Sequence, residues 1–283
     1  MVKGKSALLL CLFQRSLNSS PRIFMKPIHD YLDRSAELIA VVRSQAEALA
    51  HAASWFSETI LADRMVHVFG SGHSRIMVEE LWPRYGSFPG FNPIVELSLT
   101  HHTQVVGANG QRQAMFLENV SGLADRILRN FDCSEKDSAL VVSSSGCNVV
   151  STEMAEEFQR RGVRVVALVS KAHLSASESK RDDGRKLDDF ADLVLDTGAP
   201  AGDAMVTVDG FDLPVAPGST VGGCLIVNAI KAEVACLLTA AGKPPKALTA
   251  TCVIGKERAE KIFEAAYDEH SRRLARLYET LGK

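Results

Sequence analysis

Between Ala139 and Ser170 an apolar run (Ala139, Leu140, Val141, Val142) ends in Ser143-Ser144-Ser145-Gly146-Cys147-Asn148. A helical pattern follows at once, and a second apolar run, Val163 to Val169, closes the unit. That order predicts strand, turn, helix and parallel strand. The turn constrains function as much as fold. The first N–H groups of a helix lack intrahelical partners and sit at the positive end of its dipole, so an anion is stabilised there. Three serines and an asparagine add side-chain donors without a lysine. The simpler reading is a helix cap, for which one such residue suffices. This turn offers several, with a glycine that lets the backbone approach a ligand.

A similar arrangement occurs earlier. Met65-Val66-His67-Val68-Phe69 alternates and enters Gly70-Ser71-Gly72-His73-Ser74, followed by a helix-compatible segment from Ile76 through Glu79, Glu80 and Leu81. The dinucleotide fingerprint needs a third glycine where Arg75 stands, and no GK[ST] follows a glycine-rich loop. Nucleotide binding is disfavoured.

Two strand-to-helix turns rich in small hydroxyl residues resemble those of the sugar isomerase (SIS) domain family, which binds phosphorylated sugars. The matching words are Gly70-Ser71-Gly72-His73-Ser74 with Glu79-Glu80 and Arg84, Ser143-Ser144-Ser145-Gly146 with Asn148, Gly202-Asp203-Ala204, and Ser219-Thr220. Together they span roughly residues 27 to 245, longer than an average domain. The resemblance is strongest to a small bacterial SIS subgroup often labelled phosphoheptose isomerases. It implies a phosphosugar ligand and a homo-oligomer, dimer or tetramer, with the N-terminal helices helping to form the dimer.

Composition excludes several rivals. A chain of 283 residues with 46 % apolar content can bury a substantial core, and a formal net charge of −2 gives no global attraction to nucleic acid. Basic residues are dispersed in short clusters such as Arg160-Arg161. Six cysteines show neither a C-x-x-C pair nor zinc-ligand spacing, so reduced thiols in a cytoplasm are expected, with no metal and no cofactor. Cys147, at a helix start, is where a thiol pKa can fall, although a passenger role is the ordinary one. Lys3 and Lys5 precede the apolar run Ala7 to Phe13, which is too short to span a bilayer and lacks an A-x-A site. Residues 1–24 are therefore expected to be an extension, with residues 25–283 forming one SIS domain and no membrane association.

Leu32, Leu38, Ile39, Val42, Ala46 and Leu49 predict one or two amphipathic helices within 27–61, and Ile262, Phe263, Ala266, His270, Leu274, Leu277 and Leu281 predict a terminal helix over 256–281. Lys171 to Lys186 reads as a polar loop, either an active-site lid or an ordinary connection. The expected fold is α/β: a three-layer αβα sandwich around a mainly parallel, about five-stranded sheet, SIS/flavodoxin-like, with helices at both ends.

Ligands in such sheets sit beyond the carboxyl ends of the strands. Ser71, Ser74, Ser143, Ser144, Ser145 and Asn148 are the expected phosphate and sugar ligands, joined by Ser219 and Thr220 at a later helix start. If the protein is an aldose–ketose isomerase, it needs a base that moves a proton between neighbouring carbons, and Glu80, Glu79 and His73 are the candidates. Adjacent glutamates on a helix point in different directions, so one is expected to face the sugar and the other to pair with Arg75 or Arg84. The well-understood phosphoheptose isomerases carry a histidine and then a glutamate further along this helix, and by offset from the turn Glu80 and Arg84 occupy the corresponding places. An arginine cannot act as that base. His101-His102 and Asp203 are further candidates. A lyase or deaminase would use the same acid and base. The alternatives are a non-catalytic phosphosugar-sensing regulator without its own DNA-binding domain, and a scaffold subunit, which would not need two donor-rich turns.

Overall fold

The computed structural model describes residues 25–99 and 110–279. The 1–24 extension, His101-His102 and Leu281 lie outside them. Five parallel strands, β1 (Val66–Gly70), β2 (Phe91–Ile94), β3 (Ser138–Val142), β4 (Arg164–Val169) and β5 (Leu193–Asp196), form the central sheet in the order β2-β1-β3-β4-β5. Their side chains divide with period two. Val68, Leu140, Val142, Val166 and Leu168 enter one core layer, while Phe69, Ala139, Val141, Val165 and Ala167 enter the other. Burial on both faces explains why β3 and β4 read as continuous apolar runs rather than alternating ones. Pro93 is tolerated in β2 because that strand is at the sheet's edge.

Helices cover both faces. α1 (Lys26–Ser44) and α2 (Ala46–Leu61) break at Gln45, whose backbone is non-helical. The Gln45 amide clamps that break to the end of β5, donating to the Asp196 carbonyl at 2.8 Å and accepting from the Asp196 N–H at 2.7 Å. α3 (Arg75–Leu81) follows β1. α4 (Gly110–Leu117) and α5 (Leu123–Leu128) lie between β2 and β3, and α6 (Val149–Arg160) joins β3 to β4. The expected polar loop begins as a short helix, α7 (Lys171–Ala176), because the Ser170 hydroxyl caps it by accepting from the His173 N–H at 3.1 Å. Its remainder is fastened to the β3 turn by Lys180 N–H to Cys147 carbonyl and Leu187 N–H to Gly146 carbonyl bonds of 3.0 and 2.8 Å.

A two-stranded antiparallel hairpin, β6 (Ala204–Val208) and β7 (Phe211–Pro217), precedes α8 (Ser219–Ala240). It was not expected, although Asp209-Gly210 between alternating residues is a hairpin signal. α8 is long and apolar enough to cross a membrane, but here it packs on α2 and α3 with Ile226, Val227, Ile230 and Val234 buried. Gly222 permits this: a Cβ there would lie 2.0 Å from the Thr197 carbonyl oxygen. α9 (Thr251–Ile254) and α10 (Lys256–Arg276) close the described chain, with Leu277 buried in the turn beyond.

The amino ends of the strands hold a buried polar network. Asp137, fully buried, receives Arg64 Nε and a terminal nitrogen at 2.8 and 2.7 Å and meets His67 Nε2 at 3.2 Å, while Asn92 contacts His67 Nδ1 at 3.0 Å. Burial opposes charge on His67. The hydrogen bonds to Asp137 and Cys133 and their charges outweigh it, and the imidazole pKa is pushed up to about 9. This network serves packing at the end of the sheet opposite the expected ligand turns.

Candidate functional site

The chain leaves β1 outward for β2 and returns to β3, so the strand order reverses between β1 and β3. In open α/β sheets a crevice opens at this point beyond the carboxyl ends. Both hydroxyl-rich turns lie there. The first folds tightly on itself, since a Cβ on Gly70 would lie 2.7 Å from the Ser74 carbonyl oxygen.

What links the two turns is Glu118, which the sequence reading missed. It follows α4, and its carboxyl accepts from the Ser71 hydroxyl at 2.8 Å. Its backbone carbonyl accepts from the Val150 N–H at 2.9 Å, in the first turn of α6. Glu118 is only 9 % exposed, and burial pushes its carboxyl above the ordinary range, with the Ser71 hydrogen bond and the charge of Lys180 pulling the other way. Lys180, exposed on the loop after α7, donates to Asn148 Oδ1 at 2.7 Å. Ser71, Glu118, Asn148 and Lys180 thus converge from four separate segments. No motif announces Glu118. The available signal was a lone acidic residue ending an amphipathic helix before a glycine turn.

Within the β3 turn the serines differ. Ser143 is buried and its hydroxyl oxygen accepts from the Gly146 N–H at 3.2 Å, which shapes the turn. Ser145 Oγ accepts from the Cys147 N–H at 3.4 Å, and Ser144 Oγ is buried with no hydrogen-bond partner. Asn148 precedes α6 in extended geometry without a side-chain cap, because its amide oxygen is engaged by Lys180. Cys147 is buried and burial raises its thiol pKa, in keeping with the passenger role.

Ser219 is held elsewhere. Its N–H and hydroxyl donate to the two carboxylate oxygens of Asp203 at 2.6 and 2.7 Å, and the Gly218 N–H donates to Asp203 at 3.0 Å. Asp203 therefore caps the start of α8, with Ser219 as its partner. Thr220 is the second residue of the same helix.

The two expected glutamates are both in ion pairs. Glu79 is exposed and faces Arg75 at 3.3 Å, while Glu80 binds Arg84 at 2.6 Å and Asn228 at 3.0 Å. The buried Lys231 ammonium donates to the Glu80 carbonyl at 2.8 Å, so this end of α3 is anchored to α8. His73 is exposed on the first turn, and Ser74 closes that turn through its N–H to the Ser71 carbonyl at 3.0 Å. His270 is buried edge-on against Trp82, away from the turns.

Beside Lys180 opens a polar cavity of about 310 Å³, lined by Asn119, Ser121, Val149, Glu153 and Lys180 to Asp183. Asn119 Oδ1 is buried there without a hydrogen-bond partner. Among the described residues no group of histidine, cysteine, aspartate and glutamate side chains could hold a metal ion.

Residues 30–170 match the SIS domain model. A UPF0309 protein of Brucella anthropi is 36 % identical over 218 residues, covering 77 % of this chain and 86 % of that protein. The chain belongs to the UPF0309 family of SIS-domain proteins. A second UPF0309 relative, from Halalkalibacterium halodurans, is 31 % identical over 227 residues, covering 80 % of this chain and 91 % of that protein. Among solved structures this UPF0309 chain is similar to a phosphoheptose isomerase from Neisseria gonorrhoeae (14 % identity, TM-score 0.47, 75 % of this chain and 98 % of that one). It is also similar to the Vibrio vulnificus NanR protein complexed with ManNAc-6P (16 % identity, TM-score 0.44, 87 % of this chain and 72 % of that one).

Proposed function

We propose that this UPF0309 protein binds a phosphorylated sugar in the crevice between β1 and β3 and transforms it by acid–base chemistry of the aldose–ketose isomerase type. The observation that carries the reading is the link Ser71–Glu118–Val150, which joins the first turn to the amino end of α6 and places a buried carboxyl between them. A phosphoryl group suits the β3 turn because the helix start, the Ser144 and Ser145 hydroxyls and the Lys180 ammonium are all donors. The adjoining polar cavity is of a size to receive a sugar. Membership of a SIS-domain family supports the ligand class.

The functional unit in this reading is a homodimer in a reducing compartment. Ile28, Leu32 and Ile39 on α1, with Met25 just before it, form an exposed apolar stripe, and burial of such a stripe favours association.

The test is a panel of hexose, heptose and amino-sugar phosphates, followed by thermal shift and by product formation. Stabilisation with turnover is the expected result. Stabilisation without product from any member would instead mark a phosphosugar sensor, and no stabilisation by any member would contradict the reading.

A further inference from the structure

Moving a proton between neighbouring carbons requires a group that can hold and release it near the working pH. A solvated carboxylate stays ionised there, whereas burial favours the neutral acid. Glu79 is exposed and Glu80 is held by Arg84 and Asn228. Glu118 is placed differently. It is almost fully enclosed, one carboxyl oxygen is fixed by the Ser71 hydroxyl at 2.8 Å, and its backbone is fixed by the Val150 amide at 2.9 Å. It therefore stands between the two turns that frame the crevice.

We infer that Glu118 is the proton-transferring carboxyl of the phosphosugar site and that Lys180 is its electrostatic partner, an inference that rests on the phosphosugar reading. Among the described residues, the groups acting on this carboxyl are the Ser71 hydroxyl from the β1 turn and the Lys180 ammonium from the loop after α7. His73 lies on the same turn as Ser71 and is exposed. Glu153 on α6, which also lines the cavity beside Lys180, accepts from the Ser121 hydroxyl and the Gly122 N–H. Burial raises the proton affinity of Glu118, and Lys180 and Ser71 lower it. A ligand anion that takes the charge of Lys180 weakens the lowering influence, so anion binding and proton uptake by Glu118 are coupled.

In the forward step the Glu118 carboxylate removes the hydrogen on the carbon next to the carbonyl. The C–H electron pair becomes the carbon–carbon double bond of the enediol, and the former carbonyl oxygen takes a proton from water. Glu118 then returns its proton to the adjacent carbon, while the neighbouring hydroxyl gives its proton back to water and becomes the new carbonyl. Atoms and electrons balance without an oxidant or a reductant.

The test combines binding and rate on the full chain. Titration with inorganic phosphate in buffers of differing ionisation heat should show net proton uptake by the wild type. Glu118→Gln should bind phosphate without that uptake. On the phosphosugar that turns over, Glu118→Gln should lower kcat by about 100-fold or more with a small change in affinity, and Glu118→Asp should restore part of the rate. Lys180→Met should move the ionisation limb of the rate profile to higher pH, because the charge that lowers the Glu118 pKa is gone. Unchanged kcat in Glu118→Gln, or equal proton uptake in wild type and variant, overturns the assignment. Binding with no product from any phosphosugar overturns proton transfer but leaves the ligand class standing, whereas no binding at all removes the phosphosugar reading and this inference with it.

Discussion

The Ser71 hydroxyl donates to the Glu118 carboxyl at 2.8 Å across 47 residues of chain, tying the first ligand turn to the end of α4. The bond favours the ionised carboxylate, because it lowers the Glu118 pKa against the effect of burial. Ser71→Ala should therefore raise that pKa further and destabilise the fold by about 1–3 kcal/mol when Glu118 is ionised. The cost should shrink as pH falls and the carboxyl protonates. Urea denaturation of both proteins over a series of pH values checks the trend, and an equal cost at every pH contradicts it.

The His67–Asp137–Arg64 network predicts a second pH dependence. The folded pKa of His67 is about 9, above its ordinary 6.5, so its contribution is complete below about 6.5 and is lost as pH rises through 9. The Asp137 pKa is shifted the other way: burial opposes its charge, and the bonds from His67 and Arg64 prevail. Its contribution is complete above its ordinary 3.8 and falls away in more acidic solution. Asp137→Asn leaves Arg64 and His67 without their anion and should cost about 3–5 kcal/mol. Denaturation midpoints across the pH range measure both effects.

Much of this architecture was legible in the residues themselves. β3 and β4 announced themselves as unbroken apolar runs because both of their faces are covered, and the turn between β3 and α6 was marked by its serines. The break at Gln45 was not visible, since it depends on a clamp to Asp196 151 residues away. The same limit hid Glu118, whose character comes from burial against Ser71 and Lys180 rather than from any local pattern. Glu79 and Glu80 stood out by position and their pairing with Arg75 and Arg84 follows from helical spacing, but the Asn228 and Lys231 contacts at Glu80 become known only when α3 is packed against α8. Ser219 and Asp203 show a related limit: in sequence, a donor at a helix start looks alike whether it faces a ligand or an acidic cap.

That cap gives a third prediction. Asp203 has a φ of 67° and binds the Gly218 and Ser219 amides. Asp203→Ala loses the cap and places a Cβ-bearing residue without a compensating hydrogen bond in left-handed geometry, at a cost of at least about 0.5–2 kcal/mol. Asp203→Asn should cost less, because asparagine caps helices and tolerates positive φ. Thermal unfolding of the two variants checks the order, and equal loss contradicts the capping role.

The exposed stripe on α1 gives a fourth. Ile28→Asp combined with Leu32→Asp should shift the protein from dimer to monomer without disturbing the sheet, since both side chains are more than half exposed in one protomer. Light scattering with size-exclusion chromatography reads the mass directly. A wild-type monomer, or a dimer that survives both charges, contradicts this interface.

The crystal structure of the protein with whichever phosphosugar stabilises it most tests the central claim. The phosphoryl group should sit at the amino end of α6, within hydrogen-bond distance of Ser145 and Lys180, with the sugar carbons facing Glu118. A ligand bound away from the β1–β3 crevice, or a phosphoryl group with no contact to the β3 turn, would contradict the account.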